Sequence, residues 1–338
     1  LRKELGMSIA LVVMCALVGL SNREFFGTGN ISDTSRQIAM LGIYAIGVSF
    51  VIVTGGIDLS IGSIIGLTGV IIARISTPAI EGKVAGMGYP IGIGICVALA
   101  VALSIGLIQG LLITRLNLQP FIVTLAGMLI IRGVSQTITQ GGNISFGATS
   151  FPDLANEGIH LGPSLTLTYP VFIFLGVALV ATYVLHFTVF GRHVFAIGGN
   201  RDAARYSGVP VKRVEVATYV ISAGLAGVAG IPVASYISQM SHSVGVSYEL
   251  YAIAAAVLGG VSLRGGEGTI FGVFIGAAIM RVMENGINMF KLGPEGNEWR
   301  LDKNKHDIVI GAVILGAVIL DQVTHILQDR KKLAGKMK

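Results

Sequence analysis

The sequence predicts an all-α, polytopic integral membrane protein with about ten transmembrane helices and both termini on the cytoplasmic side. Three observations carry this. Of the 338 residues, 53% are hydrophobic and only 12% charged, with a mean hydropathy of +0.77, whereas a soluble chain of this length is about a quarter charged. The apolar residues come in nearly charge-free blocks bounded by polar loops. Lysine and arginine are shared unequally between alternate loops.

A helix needs about 20 residues to cross a ~30 Å hydrocarbon core, so shorter runs must recruit flanking residues or tilt. Taken in order, the crossings fall at 5–21, 37–53, 60–76, 91–113, 121–139, 169–189, 214–232, 247–260, 269–290 and 306–321, the eighth carrying the weakest signal. The first follows Arg2 and Lys3 and competes with a cleaved leader. No A-x-A-like site follows it, only Ser21-Asn22-Arg23, and the rest of the chain spans regardless. The second and third are separated by a Gly-Gly turn holding Asp58, which either caps the next helix or touches a cytoplasmic partner. Cys15 and Cys96 lie within apolar runs at no paired spacing, so neither a disulfide nor a metal site is indicated.

Basic residues in short loops stay on the cytoplasmic side. With the N-terminus inside, fourteen Lys and Arg residues fall on that side and seven on the other, and an even number of crossings returns the tail RKKLAGKMK to the inside. The formal net charge of +6 therefore needs no nucleic acid to explain it. The basic segment FGRHVFAIGGNRDAARYSGVPVKR, residues 190–213, becomes a cytoplasmic loop.

Within that loop Asn200 is a good N-cap, Asp202 favours the positive helix end, and Gly208 before Pro210 supplies a stop. The spacing predicts a helix of about two turns, too short to persist in water without a packing partner. Arg201 and Arg205 form an i, i+4 basic pair, Ala203 and Ala204 offer a small smooth surface, and Arg192 adds charge at the entrance. A docking knob and a plain solvated loop both fit, the cap and stop favouring the knob. No G-x-x-x-x-G-K-[ST], HExxH or Ser/His/Asp arrangement stands out; LRGGEGT at Leu263–Thr269 lacks the phosphate-cradling spacing and lysine. If ATP drives this protein, a partner binds it.

Two stretches echo each other, TGGIDLSIGSIIGLTG at Thr54–Gly69 and LGGVSLRGGEGTIFGVFIG at Leu258–Gly276. Each puts a Gly-Gly pair at the cytoplasmic end of an out-to-in helix and returns through glycines at four-residue spacing. Close helix packing explains the glycines; a duplicated helical unit explains the order as well. Charges inside spans cost about 2.5–3.5 kcal/mol each and need a reason. Arg281 and Glu284, continued by Asn285 and Asn288, form one polar patch, and Arg132 with Gln136 another. Both suit a polar path for a hydroxyl-rich solute, and equally a structural bridge between helices or a snorkelling arginine.

Four segments carry a specific resemblance: GIDLSIGS at Gly56–Ser63, QPFIVTLAGMLIIRG at Gln119–Gly133, FAIGGNRDAARYSGV at Phe195–Val209, and YELYAIAAAVLGGVSLRGGEG at Tyr248–Gly268. Through them nearly the whole chain resembles the membrane permease subunits of bacterial ATP-binding-cassette importers for ribose, xylose and galactosides. The resemblance implies a single permease domain over 1–338. It implies that Asp202, Ala203, Ala204 and Gly208 match the E-A-A-x-x-x-G loop that inserts into the ATPase subunit. It also implies a second permease copy, ATP and Mg bound by the partner ATPase rather than by this chain, and an external solute-binding protein. The chain departs from the family at Tyr251, where an acidic residue is usual, and in a longer, more charged outer loop at 291–307.

The expected function is thus ATP-driven import of a monosaccharide, ribose or a similar pentose or hexose, across the bacterial inner membrane by a non-catalytic, multi-pass subunit. Import of another small solute, such as a branched-chain amino acid or a sugar-like signal, is the nearest alternative. A secondary transporter or channel would instead use Asp58, Arg132 or Glu284 as coupling groups. A multispan enzyme would need a catalytic constellation at one interface, and none stands out.

Overall fold

A computed structural model describes residues 2–78, 86–147, 149–161, 165–289, 291–292, 299–300, 308, 311–312 and 315–316. The described chain is overwhelmingly helical. In order come α1 (Arg2–Ser21), α2 (Thr28–Val53), α3 (Ile61–Ser76), α4 (Ile91–Arg115), α5 (Pro120–Thr139), the short α6 (Asp153–Asn156) and α7 (Tyr169–Thr182). They are followed by α8 (Val189–Gly199), α9 (Arg201–Tyr206), α10 (Val211–Ile237), α11 (Tyr248–Leu258) and α12 (Ile270–Met289). Three two-stranded antiparallel pairs of two or three residues each sit in the connections, among them Ile144–Ser145 with Gln239–Met240.

Among the described residues, seven helices are long and apolar enough to cross a membrane. The expected crossings at 60–76 and 247–260 are present as α3 and α11, but these are short helices of 16 and 11 residues. At 1.5 Å per residue they extend about 24 and 16 Å, less than the ~30 Å core. Most of the tenth expected crossing, 306–321, and most of the outer loop 291–307 lie outside the described residues.

The bundle is built around α2 and α10. α10 packs on α4, α2 and α3, and α2 also packs on α7, α11 and α12. From Ala39 to Val53 every residue of α2 is buried, as its all-round apolar sequence requires of a helix with no wet face. By contrast α1 leaves Leu5, Val12, Leu17 and Leu20 more than 60% exposed, which is stable only against hydrocarbon. α2 also starts nine residues before the expected 37. Polar side chains in its first turns are braced: Asp33 pairs with Arg36 and accepts from Gln37 Nε2 at 2.7 Å, and Thr34 and Asn30 accept from Asn285.

One end of the bundle gathers the basic loops. Gly266 N donates to Val53 O at 2.8 Å, Thr269 Oγ1 donates to Glu4 at 2.7 Å, and a Cβ on Gly198 would collide with Val53 O and the backbone of Gly266. The start of α1, the turn after α2, the end of α8 and the loop before α12 therefore share this basic end. The echoed Gly-Gly pairs sit here too, as helix caps. Gly55 (φ 82°) and Gly260 (φ 82°) take the left-handed position, each closing its helix with the same two backbone bonds, Gly55 N to Ile52 O and Gly56 N to Val51 O in one, Gly260 N to Val257 O and Val261 N to Ala256 O in the other. The left-handed residue is the first glycine of the first pair and the second of the second, so the structural repeat is offset by one from the sequence echo. The returning helices also differ. α12 lies against α11 with Gly272 and Gly276 on the backbone of Gly259 and Ala255, whereas α3 packs on α10, α4 and α5.

Candidate functional site

The sequence puts its chemistry in two places, and the structure separates them by about half the bundle's length. The first is the knob at the basic end. Asn200 Oδ1 accepts from Ala203 N at 2.9 Å, and Gly208 (φ 84°) ends α9 with Gly208 N to Arg205 O and Val209 N to Ala204 O, both 3.1 Å. Ala204 is buried in the main core with Val211 and Val214, so α9 is anchored by that face. Asp202, Ala203 and Arg205 are exposed, as is Arg192 on α8, and Tyr206 stands out 89% exposed.

Two local expectations are corrected. The alanines do not share one outer surface, because the helical turn sends Ala204 inward and Ala203 outward. Arg201 does not act with Arg205 as a free basic pair. Its Nε and Nη2 donate to Glu215 in the first turns of α10 at 2.7 and 3.1 Å, a two-pronged arginine–carboxylate pair. That carboxylate holds the guanidinium even further above its ordinary pKa. The pair ties the knob to the helix that runs through the centre of the bundle, and beside it lies a cavity of about 360 Å³ reached by Thr54, Asn117, Gln119 and Tyr219.

The second place is at mid-depth. From Thr54 the chain turns back inward in extended form, and Asp58 lies fully buried. It accepts from Ser60 N at 2.9 Å, Ser60 Oγ at 2.7 Å and Ser222 Oγ at 2.7 Å, and so does not reach a cytoplasmic partner. Ser222 is the twelfth residue of α10, about 16 Å along it from the basic end. A second ruler agrees: Arg132 of α5, about 18 Å from that helix's basic end, donates from Nη2 to Ser63 Oγ and from Nη1 to His242 O, both at 3.2 Å. α3 thus begins at mid-depth of the bundle and runs away from the basic end.

α11 begins at the same depth and runs the other way. The loop before it lays the carbonyls of Gly245 and Val244 against Gly62 and Gly66, where any Cβ would clash. Gly245 and Ser247 both have positive φ. Two helix N-termini therefore meet inside the bundle, and Glu249, in the first turn of α11 and 8% exposed, lies against Gly62. Sequence reading passed over Glu249 and Ser63 as motif letters, and the signal that could have found them is that both sit at the start of unusually short apolar helices.

Arg132 belongs to this junction, and Gln136 is exposed one turn farther out on α5. The α12 patch does not join it. Arg281 pairs with Glu284 and stacks over Tyr251 at 5.8 Å, Asn285 bonds Asn30 and Thr34 of α2, and Asn288 is exposed. The first turn of α11 divides the two groups: Tyr248 stacks on Tyr44 at 5.8 Å on one side, while Glu249 meets α3 on the other.

Discontinuous helices whose ends converge inside a multispan bundle are an architecture of membrane transport proteins. Residues 30–318 match the family model described as the permease component of branched-chain amino acid transport systems, and the chain belongs to that permease family. It is similar to the ribose import permease RbsC of Escherichia coli strain K12, 38% identical over 93% of this chain and 92% of the relative, and to RbsC of Bacillus subtilis, 38% identical over 95% and 93%. The galactose/methyl galactoside import permease MglC of Escherichia coli strain K12 is 35% identical over 96% and 95%. No solved structure matches.

Proposed function

We propose that this chain is the membrane subunit of an ATP-driven importer that carries a monosaccharide of the ribose type inward across the bacterial inner membrane. The observation that carries the reading is near-full-length similarity to permeases named for ribose and galactosides. The basic end faces the cytoplasm by its charge. There the exposed face of α9, with Asp202, Ala203, Arg205 and Tyr206, enters a separate ATPase that binds ATP and Mg, and Asn200 and Gly208 hold its ends. Arg201 serves by tethering α9 to α10, and Arg192 borders the contact. An external solute-binding protein delivers the sugar. The test is uptake of radiolabelled D-ribose by proteoliposomes holding this chain, its ATPase and the binding protein. ATP-dependent accumulation supports the reading, and uptake of leucine instead of ribose would favour the amino-acid substrate in the family description.

A second copy of the chain completes the path. Non-helical backbone at membrane depth is tolerated only when covered by protein or lining water. Yet Ser243, Val246 and Leu250 are exposed beside the mid-depth loop, Val246 by 51%. In a twofold dimer, residues near the axis face their own copies. Val246→Cys is therefore expected to cross-link to itself in membranes, at a level well above a cysteine placed at Leu179 on α7, which is 73% exposed; equal cross-linking at both sites would remove this face from the interface. Gln136, on α5 near this face, lies along the same path, and the α12 patch braces it.

A further inference from the structure

We propose that the meeting point of α3 and α11 is a binding site for the hydroxyl groups of a neutral polyol, with Glu249 as acceptor and Arg132, held in place by Ser63, as donor; this rests on the import reading above. The junction combines independent features. Two helices of 16 and 11 residues start at one mid-depth point with their N–H ends inward, each the equivalent of about half a positive charge. Among the described residues Glu249 Oε2 is buried with no hydrogen-bond partner, an oxygen that costs free energy until a donor arrives. Arg132 approaches the same place from α5, sharing Ser63.

The charges decide the class of ligand. Two carboxylates, Glu249 and the Asp58 that bonds Ser60 at the start of α3, face one guanidinium and two partial positive ends, so the site is close to neutral before anything binds. An ionic solute would leave an uncompensated charge in a medium of low polarity, which costs several kcal/mol. A sugar hydroxyl both donates and accepts: one donating to Glu249 Oε2 satisfies the orphan oxygen, and a neighbour accepting from Arg132 completes the pair. Gly62, Gly66 and Gly245 let backbone approach where side chains would fill the space. The face toward Val246 and Leu250 is open, so solute passing between two copies would meet the site from there.

The test uses the complete complex in proteoliposomes, reading radiolabelled D-ribose uptake and ATP hydrolysis in the same vesicles. With Glu249→Gln, the sugar moved per ATP is expected to fall about tenfold or more, the cost of losing one charged acceptor, while hydrolysis stimulated by the binding protein stays within about twofold of the parent. An unchanged ratio overturns the site and leaves the import reading standing. A parallel fall in uptake and hydrolysis also overturns it, because Glu249 would then only hold the bundle together. If Glu249→Gln does not assemble, Arg132→Gln read the same way decides, with the same two outcomes. Failure of the parent complex to move D-ribose, L-arabinose or D-galactose would instead bring down the import reading, and this site with it.

Discussion

Replacing Arg205 and Tyr206 together by aspartate is expected to abolish ATP-dependent uptake while the permease remains folded and membrane-inserted. Both side chains are exposed on α9, Tyr206 almost completely, so neither supports the core. Arginine and tyrosine are the residue types that dominate protein interfaces, and losing such an anchor costs about 2–4 kcal/mol, roughly 30- to 1,000-fold in affinity. Co-purification of the ATPase with the tagged permease measures this directly. Retention of the ATPase by the double variant would show that α9 is not the docking element. Arg201 is the wrong residue for this test: its partner is Glu215 of the same chain, and reversing its charge would set two carboxylates against each other.

Asp58→Ala is expected to be the most damaging single substitution at mid-depth. Its carboxylate receives three hydrogen bonds, and removal strands Ser60 N and Ser222 Oγ in a buried site, Ser60 Oγ keeping Gln109 Oε1 at 3.1 Å. Each unpaired donor costs about 1–3 kcal/mol, and the side-chain link from Ser222 of α10 to the start of α3 through this residue disappears. The thermal midpoint of the detergent-purified protein should fall steeply, with uptake lost in parallel. Asp58→Asn keeps one acceptor and the shape, so it should fall much less. Equal midpoints for the alanine variant and the parent would show that the extended segment is held by backbone packing alone.

Much of the fold was legible because lipid imposes a simple rule. Blocks of apolar residues must become helices, and among the described residues seven of the expected crossings have the length and composition to span. The cap and stop of α9 were legible for a similar reason, since Asn200 and Gly208 act on their own neighbours. The Arg201–Glu215 pair was not, because it joins residues 14 apart across a turn whose geometry no local pattern fixes. Nor was the early start of α2, where Asn30 and Thr34 look like loop until Asn285 arrives from α12.

What the sequence by itself determined is the architecture: a multispan helical bundle with one basic end and a capped knob. These follow from hydropathy, charge counts and contacts within a few residues, all of which are linear quantities. The tertiary structure alone decided that α3 and α11 begin at mid-depth, that Asp58 faces Ser222 instead of a partner, and that Glu249 meets Arg132's neighbourhood while Arg281 stands apart. Those depend on how far each segment sinks into the bundle, which is set by the packing of helices distant in sequence, and no periodicity along the chain records it.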